Sequence, residues 1–361
     1  MKILIDAMGG DNAPKAPVLG AIEAAELWGS DVILVGREDE IRAVAKEAGY
    51  NIKPDGSIDV PPKADSIQIV HAPDVVDMHD DPANVCRKKK DSSMVVGLRM
   101  LSEGQADAFV SAGSTGALLS GATLIVKRVK GIRRAAMGPE LPNKAGGRTV
   151  LLDCGANAEC TPEFLLQFGI VGSLYAKKNL GIANPRVGLL NIGTEDTKGT
   201  PLQKEAYALL TDAHNKGLVN FIGNIEARDT LLGEVDVVVC DGFSGNVLLK
   251  SIEGTAYFMG SLMKHKIFKR KSKLFGYNPL SIIGYLFCRK GVKEVTSMMD
   301  YREIGGTQFL GIKKTVIKAH GSSDALAFRN AVQQANDAAE CDFSAELEIA
   351  LKQLSEDKAD D

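Results

Sequence analysis

Residues 235–250 read VDVVVCDGFSGNVLLK, and this stretch decides the fold class. Val237, Val238, Val239 and Cys240 leave no polar face on which a half-exposed strand could lie. A run of this kind belongs to a strand covered on both sides, as in a parallel sheet flanked by helices. It stops at Asp241, Gly242, Ser244 and Gly245, and an apolar helical spacing begins at Asn246. The strand therefore ends in small and polar residues at the start of a helix, where unpaired backbone N–H groups attract anions.

The same event recurs along the chain. Short apolar runs occur in KILIDAMGG, DVILVGRED, IQIVHAPD, DAFVSAGSTG, TVLLDCGANAE, RVGLLNIGTED, NFIGNIEAR and TVIKAHGSSD. Between them, helical spacing covers 14–28, 92–101, 116–126, 161–175, 201–210 and 246–263. Such alternation predicts an α/β fold, layered, with a largely parallel sheet and helices on both faces. Ligands of such sheets bind beyond the carboxyl ends of the strands. The turns 113-GSTGA-117, 153-DCGAN-157, 191-NIGTEDTKG-199 and 241-DGFSGN-246 are thus expected to wall one anion-binding cleft. Against this stands the plain reading that βα turns favour Gly, Asp, Asn and Ser for backbone reasons alone.

Composition agrees with that class. Aromatics make up only 6% of the 361 residues, against 37 glycines, which suits a fold with many strand-to-helix turns. None of the six cysteines forms a C-x-x-C pair, so free thiols in a reducing cytosol are expected. MKILIDAMGG carries no charged leader before a long apolar stretch, so neither a secretory signal nor a bilayer span is expected. Residues 1–335 are expected to form a single α/β catalytic unit, with two lobes as one arrangement of it. Residues 336–361 are expected to form a last helix and an acidic tail.

The net charge of −3 conceals an asymmetry. Residues 254–293 contain nine Lys or Arg and no Asp or Glu, so the remainder carries −12. Within this segment, 261–290 interleaves basic and apolar residues, and Asn278-Pro279 divides it into a basic apolar helical hairpin. Leu262, Ile267, Phe268, Lys269, Arg270, Leu274, Phe275, Ile282, Ile283, Leu286 and Phe287 are its expected membrane contacts, since apolar anchors with cations suit an anionic interface. A hairpin packed at a dimer interface and an attraction for an acidic partner are the other uses. No recognition motif for nucleic acid accompanies it.

Several catalytic devices are absent from the sequence. It lacks G-x-G-x-x-G, the G-K-[ST] phosphate loop, G-x-S-x-G and H-E-x-x-H. No histidine has an aspartate five residues later. The acidic loop 74-DVVDMHDDP-82 reads as a solvated turn rather than a metal site, and no metal ligands are assigned.

Taken together, DAMGGDNAPK, AGSTGALL, LLDCGAN, VGLLNIGTEDTKG, FIGNIEARD, VVVCDGFSGNVLLK and VIKAHGSSD resemble the bacterial phosphate acyltransferase family, the acyl-acyl-carrier-protein:phosphate transacylases. The resemblance runs in order from residue 1 to about 335. It implies that inorganic phosphate attacks the thioester of a long-chain acyl carrier protein, giving acyl phosphate for phospholipid synthesis. It also implies a fold similar to phosphate acetyltransferases and isocitrate-type dehydrogenases, a homodimer, and no metal or organic cofactor. The expected location is the cytoplasm, peripheral to the inner face of the membrane.

Under that reaction, Lys198 is the expected cation of the cleft, with Asn191 and Asn157 orienting phosphate or thioester. Asp241 is expected to position a donor or assist the departing thiolate, and His320 to act as an acid. Gly113, Ser114, Thr115, Gly116, Gly155, Gly193, Gly242, Ser244, Gly245 and Asn246 complete the phosphate and substrate contacts. Each has a plainer alternative: Lys198 as a surface lysine paired with Glu195 or Asp196, Asp241 as a helix cap, and His320 as a core-edge histidine. Three other functions compete. A short-chain acyl-CoA enzyme needs a nucleotide pocket, a decarboxylating dehydrogenase needs clustered metal carboxylates, and a non-catalytic scaffold leaves the glycine turns without a role.

Overall fold

The computed structural model describes residues 1–60, 66–263, 287, 289–291, 297 and 300–356. Its strands form two sheets. The first contains β1 (Lys2–Asp6), β2 (Asp31–Gly36), β3 (Gln68–His71), β4 (Ala108–Ser111), β5 (Ala136–Gly138), β11 (Gly306–Leu310) and β12 (Thr315–Ala319), in the order β3-β2-β1-β4-β12-β11-β5. The second contains β6 (Glu140–Pro142), β7 (Arg148–Leu152), β8 (Arg186–Asn191), β9 (Asn220–Glu226) and β10 (Val237–Val239), in the order β6-β7-β10-β8-β9. β11 runs antiparallel to both of its neighbours and β6 antiparallel to β7; the other pairings are parallel.

The principal helices are α1 (Lys15–Trp28), α2 (Glu38–Glu47), α3 (Val85–Lys88), α4 (Ser93–Ser102), α5 (Thr115–Gly121), α6 (Pro162–Asn179), α7 (Pro201–Asn215), α8 (Gly242–Met263), α9 (Tyr301–Ile304), α10 (Ala325–Glu340) and α11 (Ser344–Glu356). Each predicted helical stretch falls on one of them, with α5 continuing through a π-helical turn at Ala122–Val126. α2, α3 and α9 are not among the predicted stretches, and α10 begins at Ala325, ahead of the last helix expected from 336.

The valine run occupies the centre of the second sheet. β10 lies between β7 and β8, in register with Val150–Leu152 and Val187–Leu189. Val237 and Val239 pack into one core with Leu165 and Phe168 of α6, whereas Val238 joins Leu151, Cys154 and Cys240 on the other face. The first sheet repeats this arrangement. Ile3 and Ile5 face α1 and α10 through Ile22 and Phe328, and Leu4 faces α4 through Leu98. Both sheets are therefore buried on two faces, which explains why their strands carry apolar runs rather than alternation.

α1 and α10 approach closely at Gly20, where an added Cβ would stand 2.5 Å from Phe328 Cβ and 2.7 Å from Ala325 O. α8 lies on the second sheet through Leu248, Leu249 and Ile252 and then runs out of the protein, leaving Tyr257 81% and Phe258 61% exposed. The chain passes between the sheets at Pro139, which links β5 to β6, and enters the first sheet again at 304–306, between α9 and β11.

The Gly20 contact predicts that Gly20→Ala lowers stability by about 1–3 kcal/mol, because backbone and Phe328 must give way. Urea unfolding would read this as a lower midpoint at unchanged slope; an unchanged midpoint would contradict the packing.

Candidate active site

A cavity of about 540 Å³ opens between the two sheets where the chain crosses from one to the other. Its walls come from both sides. Gly113 and Thr115 follow β4, Lys318 and His320 close β12, and Gly155 follows β7. The inner face of α8 supplies Asn246, Leu249, Ile252 and Ala256, so the cavity follows this helix for about 15 Å at 1.5 Å per residue. Met137, Leu141 and Ile304 face it with apolar surface. Polar members lie at the strand ends, and along α8 the apolar Leu249, Ile252 and Ala256 are interleaved with Lys250 and Glu253.

The first-sheet wall is held by the N-terminal motif. Asp11 N–H donates to Gly321 O at 2.8 Å, and Asn12 Nδ2 donates to Ser322 O and Ser323 O at 3.1 and 3.2 Å. Asp6 is buried and accepts from Ser111 Oγ at 2.7 Å and from Met8 N–H at 3.2 Å. Burial raises its pKa, while these donors and Ser93 pull it down. Lys318, in register with Ser111 and Thr307, donates to Ala112 O at 3.3 Å and also to Ala319 O. Burial lowers the Lys318 pKa to about 8, against the pull of Asp11 and Asp6. His320 Nδ1 lies 2.8 Å from Ser322 Oγ and 3.3 Å from Ser322 N, so the 320–322 turn holds the ring. Burial, then Lys250 and Lys318, lowers the His320 pKa.

The second-sheet wall is built on Asp153. Its buried carboxylate accepts from Met137, Cys154, Ala156 and Asn157 N–H groups at 2.6–3.2 Å and from Asn157 Nδ2 at 3.0 Å. The start of α8 is pressed onto this turn. A Cβ at Gly245 would stand 1.9 Å from Asp153 O, one at Gly242 would stand 2.4 Å from Asn157 O, and Gly242 N–H donates to Asn157 O at 2.8 Å. Asp241 caps the helix, accepting from Ser244 N–H and Ser244 Oγ at 2.8 Å each. Most of DGFSGN is therefore used to bring a helix onto a turn, and Asn246 is its member in the cavity lining.

The expected four walls reduce to three. The turns at 113–117, 153–157 and 241–246 contribute Gly113, Thr115, Gly155 and Asn246, and His320 joins them, whereas the loop 191–199 does not line the cavity. That loop closes on itself. Asn191 Nδ2 donates to Lys198 O at 3.1 Å, and the 46% exposed Lys198 side chain lies 3.9 Å from Glu195. Gly193 packs beneath the same loop, with Glu195 Oε2 2.8 Å from where its Cβ would be. Asn157 bonds inward to Asp153 and to Ala135 O, Ser114 is buried, and Gly116 abuts Pro82. Asp241, Ser244, Gly242 and Gly245 serve the helix start described above.

Sequence reasoning did not select Lys318, Asp153, Asp6 or Asn12. The signal for Lys318 was a lone charge in the apolar strand TVIKA, immediately before HGSSD. Cys154 also lines the cavity, but burial pushes its thiol up to about 12, which removes it as a nucleophile. The cysteines among the described residues are free thiols.

The other residues singled out in the sequence lie elsewhere. In the basic segment, Ile267, Phe268, Lys269, Arg270, Leu274, Phe275, Ile282, Ile283 and Leu286 lie outside the described residues, as does most of the expected hairpin. Leu262 and Phe287 are exposed. Among the described residues no helix is long and apolar enough to cross a membrane, and no group of three His, Cys, Asp or Glu is placed to hold a metal ion. In the acidic loop, Asp80 accepts from Asp77 N–H and pairs with Lys89.

Comparison with known proteins identifies the class. The fold is similar to that of a phosphotransacetylase from Staphylococcus aureus, with a TM-score of 0.58, 16% identity and 94% of each chain covered. It is also similar to a putative 4-hydroxythreonine-4-phosphate dehydrogenase from Salmonella typhimurium, with a TM-score of 0.56, 13% identity, and 93% and 98% of the two chains covered. Residues 1–346 match the family described as fatty acid synthesis protein. The chain is 47% identical over 335 residues to a phosphate acyltransferase of Alkaliphilus oremlandii, covering 93% of this chain and 92% of that protein. It is 42% identical over 357 residues to the phosphate acyltransferase of Thermoanaerobacterium thermosaccharolyticum, covering 99% and 98%. The chain belongs to the phosphate acyltransferase family.

The bonds from Asn12 to the 320–323 loop predict that Asn12→Ala displaces His320 and slows turnover roughly tenfold to a hundredfold, the scale of a small misplacement. Steady-state kinetics alongside thermal melting would check this. Undiminished turnover in the folded variant would remove Asn12 from the positioning of the site.

Proposed function

We propose that the protein transfers a long-chain fatty acyl group from acyl carrier protein to inorganic phosphate, releasing acyl phosphate and the carrier thiol. Membership of the family supports the coarser part of this reading, an acyltransferase that works with phosphate in fatty acid and phospholipid synthesis. The donor and the chain length are our own reading.

The observation that carries it is the two-part cavity. Its strand-end portion combines Lys318, His320, Thr115, Asn246 and the turn glycines, a set of small donors and cations suited to an anion beside a thioester carbonyl. Its outward portion follows Leu249, Ile252 and Ala256 along α8, where the paired Lys250 and Glu253 also line the cavity, and these apolar side chains offer a track for an alkyl chain. Each methylene buried there contributes about 0.8 kcal/mol, so the track favours long chains over short ones. Gly113, Thr115, Gly155, Asn246 and His320 are the proposed phosphate and thioester contacts.

Beyond Ala256, α8 continues with Tyr257, Phe258 and Leu262 exposed to solvent, and the acid-free stretch 254–293 begins here. We read this end as the face that meets an anionic lipid surface and the acidic carrier protein, each basic residue contributing about 1 kcal/mol near such a membrane. A homodimer and peripheral attachment at the cytoplasmic face of the membrane belong to the same reading.

The test incubates purified protein with palmitoyl-acyl carrier protein and labelled inorganic phosphate and follows acyl phosphate. Product from this donor, with little from acetyl-CoA, is expected; turnover of acetyl-CoA alone would replace the reading with a short-chain one. The apolar track adds a second expectation. Ala256→Trp narrows its outer part and should lower the preference for palmitoyl over octanoyl donors by roughly tenfold or more, the equivalent of two buried methylenes. An unchanged preference would mean that the chain lies elsewhere.

A further inference from the structure

We infer that Lys318 is the catalytic cation of this site: its ammonium holds phosphate against the thioester and then gives its proton to the departing thiolate. This rests on the proposed transfer of an acyl group to phosphate and assigns a residue to its central step. Three basic side chains line the cavity: Lys250, Lys318 and His320. Lys250 is half exposed and paired with Glu253 at 2.7 Å. His320 turns Nδ1 toward Ser322 and is held neutral by burial and by the two lysines. Lys318 differs from both. Among the described residues it forms no ion pair, and its two hydrogen bonds go to the carbonyls of Ala112 and Ala319. An ammonium has three N–H donors, so one remains for a ligand in the cavity that Lys318 lines. Ala112 immediately precedes Gly113 of the 113–117 turn, so the bond to its carbonyl holds the amine beside that wall.

The surrounding charges are consistent with a cation that exchanges its proton. Asp6 lies behind Ser111 on β1, and Asp11 lies on the following loop; both favour the charged amine. Burial opposes them, giving a value of about 8. His320 on the same strand end, Lys250 and Glu253 on α8, Glu140 on β6 and Cys154 after β7 are the other titratable groups lining the cavity. Glu140 is engaged by Tyr175 Oη at 2.6 Å and by Arg148 at 3.4 Å. The amine is therefore mostly charged at neutral pH and close to the ordinary range of a thiol, where proton transfer between them is nearly balanced.

The step balances as follows. An oxygen lone pair of hydrogen phosphate dianion attacks the thioester carbon, and the carbonyl π pair moves onto oxygen. That pair returns to re-form the carbonyl, the C–S bond breaks, and its electrons leave on sulfur. Sulfur takes a proton from Lys318, and the neutral amine takes the remaining P–OH proton of the acyl phosphate. Thioester and hydrogen phosphate become acyl phosphate dianion and thiol, with Lys318 returned to its starting form.

Two measurements test this. In kinetics, Lys318→Met should lower kcat/KM for phosphate roughly 100-fold or more, whereas Lys318→Arg should keep KM for phosphate within about threefold while losing kcat. In wild type the ammonium form is the active one, so activity should fall as pH rises through about 8, and Lys318→Arg should lose that alkaline limb. The second measurement uses the wild-type protein and does not depend on a variant folding. An amine-reactive acylating reagent is applied with inorganic phosphate or with chloride at equal ionic strength, and labelling is mapped by mass spectrometry. Phosphate should slow labelling of Lys318 severalfold and chloride should not. Wild-type phosphate KM and pH profile in folded Lys318→Met, or equal labelling in phosphate and chloride, would overturn the assignment. Absence of acyl phosphate from wild type with every thioester tried would instead remove the proposed reaction, and the labelling would still decide whether Lys318 meets phosphate.

Discussion

The cavity depends on one buried carboxylate. Asp153 stands at the end of a central strand of the second sheet and accepts hydrogen bonds from the turn that follows it and from Met137, the middle residue of a first-sheet strand. An unsatisfied carboxylate in that position would be costly, and five donors remove the problem by joining the two sheets and shaping the 153–157 turn at once. The carbonyl of the same residue is where α8 comes down, with Gly245 leaving no room for a side chain. One aspartate thus ties the two sheets together, shapes one wall and positions the helix that lies along the cavity.

Asp6 plays the corresponding part at the end of β1. It too is buried at a strand end, bonded to Ser111 on the neighbouring strand and to the first turn of its own loop. That loop continues into Asp11 and Asn12, which hold residues 321–323. The N-terminal motif is therefore a support for the wall that carries Lys318 and His320. Both walls follow one principle: a buried acid organises backbone donors, and the residues that face the cavity are carried on the loops so organised.

The fold was legible because burial on both faces leaves an unambiguous trace. VDVVVC, KILID and DVILVG carry no alternation, and helical spacing follows them closely enough to imply a layered α/β arrangement. The division of the strands into two sheets was not legible, because strand pairing is set by long-range contacts that apolar runs do not encode. The meeting of three of the four glycine turns was legible: 113–117, 153–157 and 241–246 line one cavity, with His320 beside them. What misled was reading every glycine as an opening for a ligand. Gly242 and Gly245 are small so that a helix can touch a carbonyl, and Gly193 so that its loop can fold over Lys198. Lys198 was selected for its polar glycine loop, which does not line the cavity. Lys318 was passed over because a lysine in a strand is ordinarily an edge feature, and only the pairing with Ser111 and Thr307 shows it between two strands.

Acyl group and phosphate are proposed to meet between the two sheets. A crystal structure with a palmitoyl phosphonate, in which a methylene replaces the labile bridging oxygen of acyl phosphate, tests it directly. The account predicts the phosphonate within hydrogen-bonding distance of Lys318 Nζ and the 113–115 turn, with the chain lying along Leu249, Ile252 and Ala256. A phosphonate held by Lys198 and the 191–199 loop, or a chain bound away from α8, would contradict it.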